Sequence, residues 1–302
     1  MRAVVVNSFG GPEAVEVVRT EVPEPAAGQI RIKVGAAALN PVDAGLRSGV
    51  FGGEGTRIGL GWDVAGTVDA VGAAVGGPAG GPWAVGDAVV ALHYGMVEPL
   101  GTHAEYVVVP ANAVAKAPAT VDVVHAATLP LNALTAVQAL DSLELTPDTS
   151  LLVTGAAGAV GGYAIQLAAH RGLSVTGLAR EGDEALVRSL GATRFISGAV
   201  AEGGFDAVLD AAFLGESALA QARDGGRYLG VIPHAEPASV RGVRTGAVEV
   251  SADGAQLAEL VRLLDAGVLT TRVAETFALD DAAKAHARLA EGGLRGRLVL
   301  VP

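Results

Sequence analysis

The stretch Leu151-Leu152-Val153-Thr154-Gly155-Ala156-Ala157-Gly158-Ala159-Val160-Gly161-Gly162 runs from apolar residues through small ones into a segment of helical character. Small residues at such a turn let backbone approach a ligand closely, and a helix start presents N–H groups without intrahelical acceptors and a partial positive charge. That is chemistry for an anion, and strand, turn and helix in this order are the context of a dinucleotide pyrophosphate. Gly158 would let the backbone meet the phosphates, and Gly161 would let the helix pack close to the strand. Aligned on these two, Ala156 stands at the first glycine position, so the motif reads A-x-G-x-x-G. Thr154, Ala156, Ala157, Gly158, Ala159, Val160 and Gly161 are the candidate cofactor contacts here. A ligand-free Gly-rich turn could share this composition, so the motif needs its neighbours.

The next strand ends Gly177-Leu178-Ala179-Arg180. A site for NAD places Asp or Glu at this point to bind the ribose 2′-hydroxyl. Arg180 instead offers a planar cation suited to a 2′-phosphate, which points to NADPH; a solvated surface arginine is the alternative. Glu181 and Asp183 fit the following loop and helix start.

The elements that must position these residues follow from periodicity. From about residue 122 the chain alternates: a helix over 123–140, strands over 151–154, 174–178, 195–196, 207–210, 228–232 and 248–250, and helices over 160–171, 183–190 and 256–266. Such alternation predicts βαβ units and a doubly wound parallel sheet. Residues 1–115 read as mostly β, with runs at 3–6, 30–37, 64–71, 88–92 and 104–109 broken by Gly, Pro and Asp, which suggests a compact antiparallel or barrel-like unit. The tail reads as a helix over 282–291 and a strand over 296–301, and 72–82 as a surface loop tolerant of insertion.

Composition sets the boundaries. The chain has 302 residues, half of them apolar and 18% charged, enough for one large domain or two ordinary ones with a substantial core. Its net charge of −11, with Lys only at Lys33, Lys116 and Lys284 and no basic cluster, argues against nucleic acid. With no cysteine, disulfides, thiolate zinc sites and Cys nucleophiles are excluded. Met1 to Val6 reads as a strand rather than a signal peptide, and no apolar run is expected to reach the ~18 residues of a membrane span, so a soluble cytoplasmic protein without membrane partners is expected.

Several segments then appear in order: ALNPVDAGLRSGV at 38–50, GWDVAGTVDAVG at 61–72, VGDAVVAL at 85–92, GTHAEYVVVP at 101–110 and TLPLNALTAVQAL at 128–140. With them the whole chain resembles the medium-chain dehydrogenase/reductase superfamily, in the zinc-independent quinone oxidoreductase branch that includes zeta-crystallin-like proteins. The resemblance implies an α/β fold of two domains. A GroES-like β-rich catalytic domain would combine 1–117 and 268–302, and a Rossmann NADPH-binding domain would span 118–267, with cofactor and substrate in a cleft between them. Zinc-dependent relatives carry Gly-His-Glu where this chain has Gly61-Trp62-Asp63, and His93 and His103 lack a clear third ligand, so no metal is expected.

The implied reaction is hydride transfer from NADPH to a small-molecule quinone or α,β-unsaturated carbonyl, with the developing oxyanion held by hydrogen-bond donors. Asn40 would donate to a carbonyl or to the nicotinamide ribose, or would shape the turn before Pro41; Asp43 would cap or brace that segment. Tyr94 and His103 would supply a proton or serve structurally, and His125, His170 and His286 would pack or face solvent. Thr135, the strand end at Gly230, Val231 and Ile232, and Arg297 are the remaining cofactor candidates, with a rim salt bridge an equal reading for Arg297. Where relatives carry tyrosines this chain has Gly45 and Phe51, which suggests a different pocket and keeps open an enoyl or ketone reductase of secondary metabolism, or a non-catalytic NADPH binder. A homodimer is implied by the resemblance alone.

Overall fold

The computed structural model describes residues 1–75, 82–198 and 203–302, so residues 76–81 of the expected loop at 72–82 lie outside the described residues. In chain order the elements are β1 (Arg2–Val6), β2 (Val15–Arg19), β3 (Gln29–Leu39), α1 (Pro41–Ser48), β4 (Ile58–Gly59), β5 (Asp63–Val71), β6 (Ala88–Leu92), β7 (Tyr106–Pro110) and β8 (Val114–Lys116). There follow α2 (Val123–Ala126), α3 (Pro130–Ser142), β9 (Ser150–Thr154), α4 (Ala159–His170), β10 (Ser174–Ala179), α5 (Glu184–Ser189), β11 (Arg194–Ser197), β12 (Phe205–Asp210), α6 (Glu216–Leu219), β13 (Ala222–Gly230) and β14 (Arg244–Ala247). The chain ends with α7 (Gly254–Asp265), β15 (Val273–Ala278), α8 (Ala282–Glu291) and β16 (Arg297–Val301). Two compact units emerge: Met1–Leu131 with Ser251–Ala266 and Thr271–Pro302, and Asn132–Val250 with Gly267–Thr270.

The first unit is built on a sheet of order β15-β16-β3-β5-β6-β8, with β7 also paired to β3, and a small antiparallel sheet β2-β1-β4. In β3 the alternation buries Ile30, Ile32 and Val34 while Lys33 faces out, and these pack with Val64, Val68, Val89 and Val107. Gly66 lets β5 close on β3, because a Cβ there would stand 2.2 Å from the Lys33 carbonyl oxygen. The edge strand β15 (VAETFA) is mostly exposed and lacks apolar alternation, which is why sequence reading passed over it. The short strands β2, β4 and β8 were likewise not expected from periodicity.

Helix α7 also belongs to this unit, although the sequence placed 118–267 with the cofactor domain. Its first residue, Gly254, lies so close to the β8 region that a Cβ would sit 2.5 Å from the Asn112 carbonyl oxygen. At its far end the Asp265 carboxylate accepts the backbone N–H groups of Ala119 (2.9 Å) and Thr120 (3.0 Å).

The second unit carries a six-stranded sheet of order β11-β10-β9-β12-β13-β14, parallel at every pairing. This is the doubly wound arrangement in which strand order reverses at the first strand, here β9. Its core joins Leu152, Leu178, Val208, Leu219, Tyr228 and Val243. The strand expected over 248–250 lies earlier, at β14, where Arg244–Ala247 pair with Arg227–Gly230; Val248 only adds an N–H to the Gly230 carbonyl (2.9 Å). β13 ends at Gly230, leaving Val231 and Ile232 beyond it.

The helix expected over 123–140 is divided into α2 and α3, since Pro130 cannot continue the hydrogen-bond ladder of α2. Taken together, Val123–Ser142 is by length and composition apolar enough to cross a membrane, with a mean hydropathy of 1.3, contrary to the expectation of no such run. Yet 72% of it is buried inside the protein, which is how a core helix reaches that hydropathy.

Candidate functional site

β9 buries Leu151, Leu152, Val153 and Thr154 completely between β10 and β12, so the turn after it sits at the carboxyl end of the strand where sheet order reverses. Gly155 takes φ +60, and a Cβ there would stand 3.0 Å from the Ala211 carbonyl oxygen. The tight-turn role therefore falls to Gly155, one residue before the Ala156 that motif alignment put in the first glycine position. Ala156 is fully buried and its N–H donates to the Leu178 carbonyl (3.1 Å), tying the turn to β10.

The Gly158 N–H closes the turn on the Gly155 carbonyl (2.8 Å), and the first helical bond of α4 runs from the Gly162 N–H to the Gly158 carbonyl (3.0 Å). The N–H groups of Ala159, Val160 and Gly161 precede that bond, and no side chain caps this helix start. At Gly161 a Cβ would stand 2.3 Å from the Gly155 carbonyl oxygen, so only glycine lets α4 begin this close to the turn. Uncapped amides at a helix start, reached by small residues, fit a diphosphate.

Around the turn the carboxyl ends of β9, β12 and β13 are locked by a buried network that sequence reading missed. The Thr154 hydroxyl donates to Asp210 Oδ1 (2.5 Å) and accepts from the Ala212 N–H (3.1 Å). Asp210 Oδ2 accepts from the Gly215 N–H (2.8 Å) and the Tyr228 hydroxyl (2.9 Å). Burial, reinforced by the bond to Asp210, raises the Tyr228 phenol well above its ordinary range, so it stays a donor. An acid closing the apolar strand Val208-Leu209-Asp210 was the available signal. Arg180 follows β10, is exposed and makes no ion pair among the described residues. Val231 and Ile232 are half-buried, and Thr135 is buried in α3.

The catalytic candidates fall in the first unit. Asn40 is the N-cap of α1 and Pro41 opens the helix; Asp43 Oδ2 accepts the Asn40 N–H (2.8 Å), the returning half of a capping box. The Asn40 amide also reaches Asp63, with Nδ2 donating to Oδ2 at 2.6 Å, while Arg297 Nη1 approaches Asn40 Oδ1 at 3.5 Å. Asp63 Oδ1 accepts the Leu131 N–H (2.6 Å), and Asp43 Oδ1 accepts the Gly61 N–H (2.8 Å). Both acids are fully buried. Burial pushes Asp63 up to about 7, helped by the charge of Asp43 and opposed by Leu131, Asn40 and Arg297. Burial likewise raises Asp43, against His103 and Arg297.

His103 is fully buried, with Nε2 3.0 Å from the Ala38 carbonyl oxygen. A carbonyl only accepts, so Nε2 carries the proton in this arrangement. Thus Asn40, His103 and Arg297 are gathered with Asp43 and Asp63, the two acids being the members sequence reading had not assigned to a site. Tyr94 is 40% exposed and stands edge-on to Trp62, ring centroids 5.1 Å apart. Among the described residues no three His, Asp or Glu side chains group to hold a metal ion.

Two family models match: the alcohol dehydrogenase GroES-like domain over residues 26–119, and the zinc-binding dehydrogenase domain over 182–300. The 2-methylene-furan-3-one reductase of Solanum lycopersicum is 32% identical over all of this chain and 79% of its own length. The chloroplastic NADPH-dependent alkenal/one oxidoreductase of Arabidopsis thaliana is 32% identical over all of this chain and 80% of its own. The solved quinone oxidoreductase of Coxiella burnetii superposes with a TM-score of 0.88 at 28% identity, covering 100% of this chain and 99% of that one. With such relatives spanning its full length and the same fold, the chain belongs to the medium-chain dehydrogenase/reductase superfamily, in its quinone oxidoreductase branch.

Proposed function

We propose that this chain is an NADPH-dependent oxidoreductase that reduces a quinone or an α,β-unsaturated carbonyl without a metal. The observation that carries the reading is the uncapped start of α4 behind the Gly155 turn, at the carboxyl end of the central strand of a parallel sheet. The names of the relatives, an alkenal/one oxidoreductase dependent on NADPH and a quinone oxidoreductase, agree with it. The bound nicotinamide supplies the hydride.

The chain's own residues do the rest. The amides of Ala159, Val160 and Gly161 receive the diphosphate, and Arg180 receives the 2′-phosphate through paired N–H donors. Tyr94 is the most exposed of the three catalytic candidates, and its hydroxyl is our choice for donating to the acceptor oxygen as negative charge builds there. Asn40 and His103, 1% and 0% exposed, act as positioning residues. Metal independence is supported by the absence of cysteine and by Trp62-Asp63 standing in place of His-Glu. The same reading carries a cytoplasmic homodimer that binds neither nucleic acid nor membrane, the charge of −11 being unsuited to a polyanion.

The test is NADPH consumption, followed by absorbance, against a panel of quinones, enones and enoyl thioesters, with and without a chelator. Substrate-dependent oxidation that survives chelation is the expected result. Tight NADPH binding with no turnover on any member of the panel would reduce the protein to a cofactor binder.

A further inference from the structure

The interior of the first unit holds a second set of polar side chains that the reaction does not use. Arg47, in the last turn of α1, is 8% exposed, and its Nε and Nη1 have no hydrogen-bond partner. His286, in α8, is 1% exposed, and neither ring nitrogen has one. Nδ1 of His103, a positioning residue in the proposed reaction, is likewise unpartnered.

The fold gathers these groups. The Arg47 carbonyl accepts the Gly10 N–H (3.2 Å), and residues 12–14, just beyond Gly10, pack against α8. α8 lies on β16, and β16 pairs with β3, whose Ala38 carbonyl holds His103 Nε2. Both His103 and Arg47 act electrostatically on His286, and with burial they hold its pKa down. The nearby acids make their hydrogen bonds elsewhere, and none bonds to Arg47 Nε or Nη1 or to His286. Glu13, the acid felt by Arg47, is exposed and spends Oε1 on the Gly11 N–H (2.9 Å). Asp43, felt by His103, is taken up by the Asn40 and Gly61 N–H groups. Among the described residues Arg47 has no ion pair.

A guanidinium does not deprotonate to escape burial, and an unpaired buried charge is costly enough that native proteins supply a counter-charge. Water would satisfy its N–H groups but not its charge. We propose that Arg47 and His286 hold a small monovalent anion inside the first unit, with His103 beside it, separate from the cofactor turn. The anion accepts from Arg47 Nε and Nη1 and from one N–H of a neutral His286, and it ties the end of α1 to α8. A single positive charge calls for a single negative one, and a buried site favours a readily dehydrated halide, chloride or bromide, over strongly hydrated fluoride. The proposal goes beyond the redox reading and stands without it.

The probe is bromide. Crystals of the full chain grown in sodium bromide should give an anomalous difference peak within hydrogen-bond distance of Arg47 and His286. The thermal midpoint should rise in bromide relative to fluoride at equal ionic strength. Both responses should disappear in Arg47→Met. If that variant does not fold, His286→Phe replaces it, and the crystal of the unaltered chain still decides. An ordered water at the position with no anomalous signal overturns the proposal. A halide effect that the variant retains overturns it too, and a peak unaccompanied by any shift in midpoint marks an adventitious ion only and does the same.

Discussion

Replacing His286 by Gln should flatten the acid side of the stability curve, and the structure fixes how much. Burial first, then the positive charges of His103 and Arg47, push His286 from 6.5 down to about 3. Above 6.5 the ring is neutral in both folded and unfolded chains and contributes no pH dependence. Below it the unfolded chain takes up a proton that the folded one refuses, so stability falls with pH until about 3. At 1.36 kcal/mol per unit, the loss between pH 6.5 and about pH 5 is roughly 2 kcal/mol. Asp63 works the other way: raised from 3.8 to about 7, it keeps its proton longer in the folded chain, and stability from this group falls as pH rises through that window. It is present in both proteins, so it cancels in the difference. The assay is urea unfolding of both proteins at about pH 8 and about pH 5 in a fluoride salt, comparing the pH-induced changes rather than absolute stabilities. His286→Gln should lose roughly 2 kcal/mol less than the parent on acidification. Parallel curves would mean that the ring is hydrated or paired, and the argument from burial would fail.

Gly161→Ala places a methyl 2.3 Å from the Gly155 carbonyl oxygen, so α4 must retreat from the turn. We expect a stability loss of about 1–3 kcal/mol by urea unfolding together with weaker NADPH binding by fluorescence titration. Gly182→Ala, where nothing lies within 4 Å of the new methyl, is the control that should change neither. Arg180→Ala should raise the Michaelis constant for NADPH by about tenfold or more, as expected for lost charge-assisted hydrogen bonds, and leave that for NADH nearly unchanged; equal losses would show that the guanidinium does not read the 2′-phosphate. Tyr228→Phe removes the 2.9 Å bond to Asp210 but leaves the carboxylate its other donors, so about 1 kcal/mol of stability should go, with little change in turnover.

What could be read in advance was local. The strand, turn and helix at 150–170 announce themselves through composition, because an apolar strand, small residues and an apolar helix are neighbours in sequence. The first turn glycine was placed one residue late, since spacing alone cannot say which small residue takes a positive φ; only the backbone at Gly155 does. Strand β15 was invisible because an exposed edge needs no alternation, and α7 went to the wrong neighbour because its amphipathic pattern names a buried face without naming what covers it. His286 looked like a packing residue on a helix, and nothing in the tail signals that Arg47, far away in sequence, would be its company.

The case of Asp63 shows why a chemically suggestive residue can be misread even when its segment is recognised. In sequence it is the acid of a conventional-looking Gly-Trp-Asp segment, and Asn40 is the amide that invites a catalytic role. In space one Asp63 oxygen takes the N–H of Leu131 at the start of α3 and the other takes the Asn40 amide at the start of α1. A carboxylate at a helix start is favoured by the uncompensated N–H groups and the positive end of the dipole, which offsets part of the burial that pushes it up to about 7. One buried acid thereby sets where two helices begin, and the Asn40 N–H group nearest to it is occupied. Asn40 Nδ2 also lies 3.5 Å from the Ala38 carbonyl oxygen, so the amide is engaged with the protein on both sides. These contacts agree with the proposal that Asn40 braces this segment while Tyr94, 40% exposed, meets the acceptor oxygen.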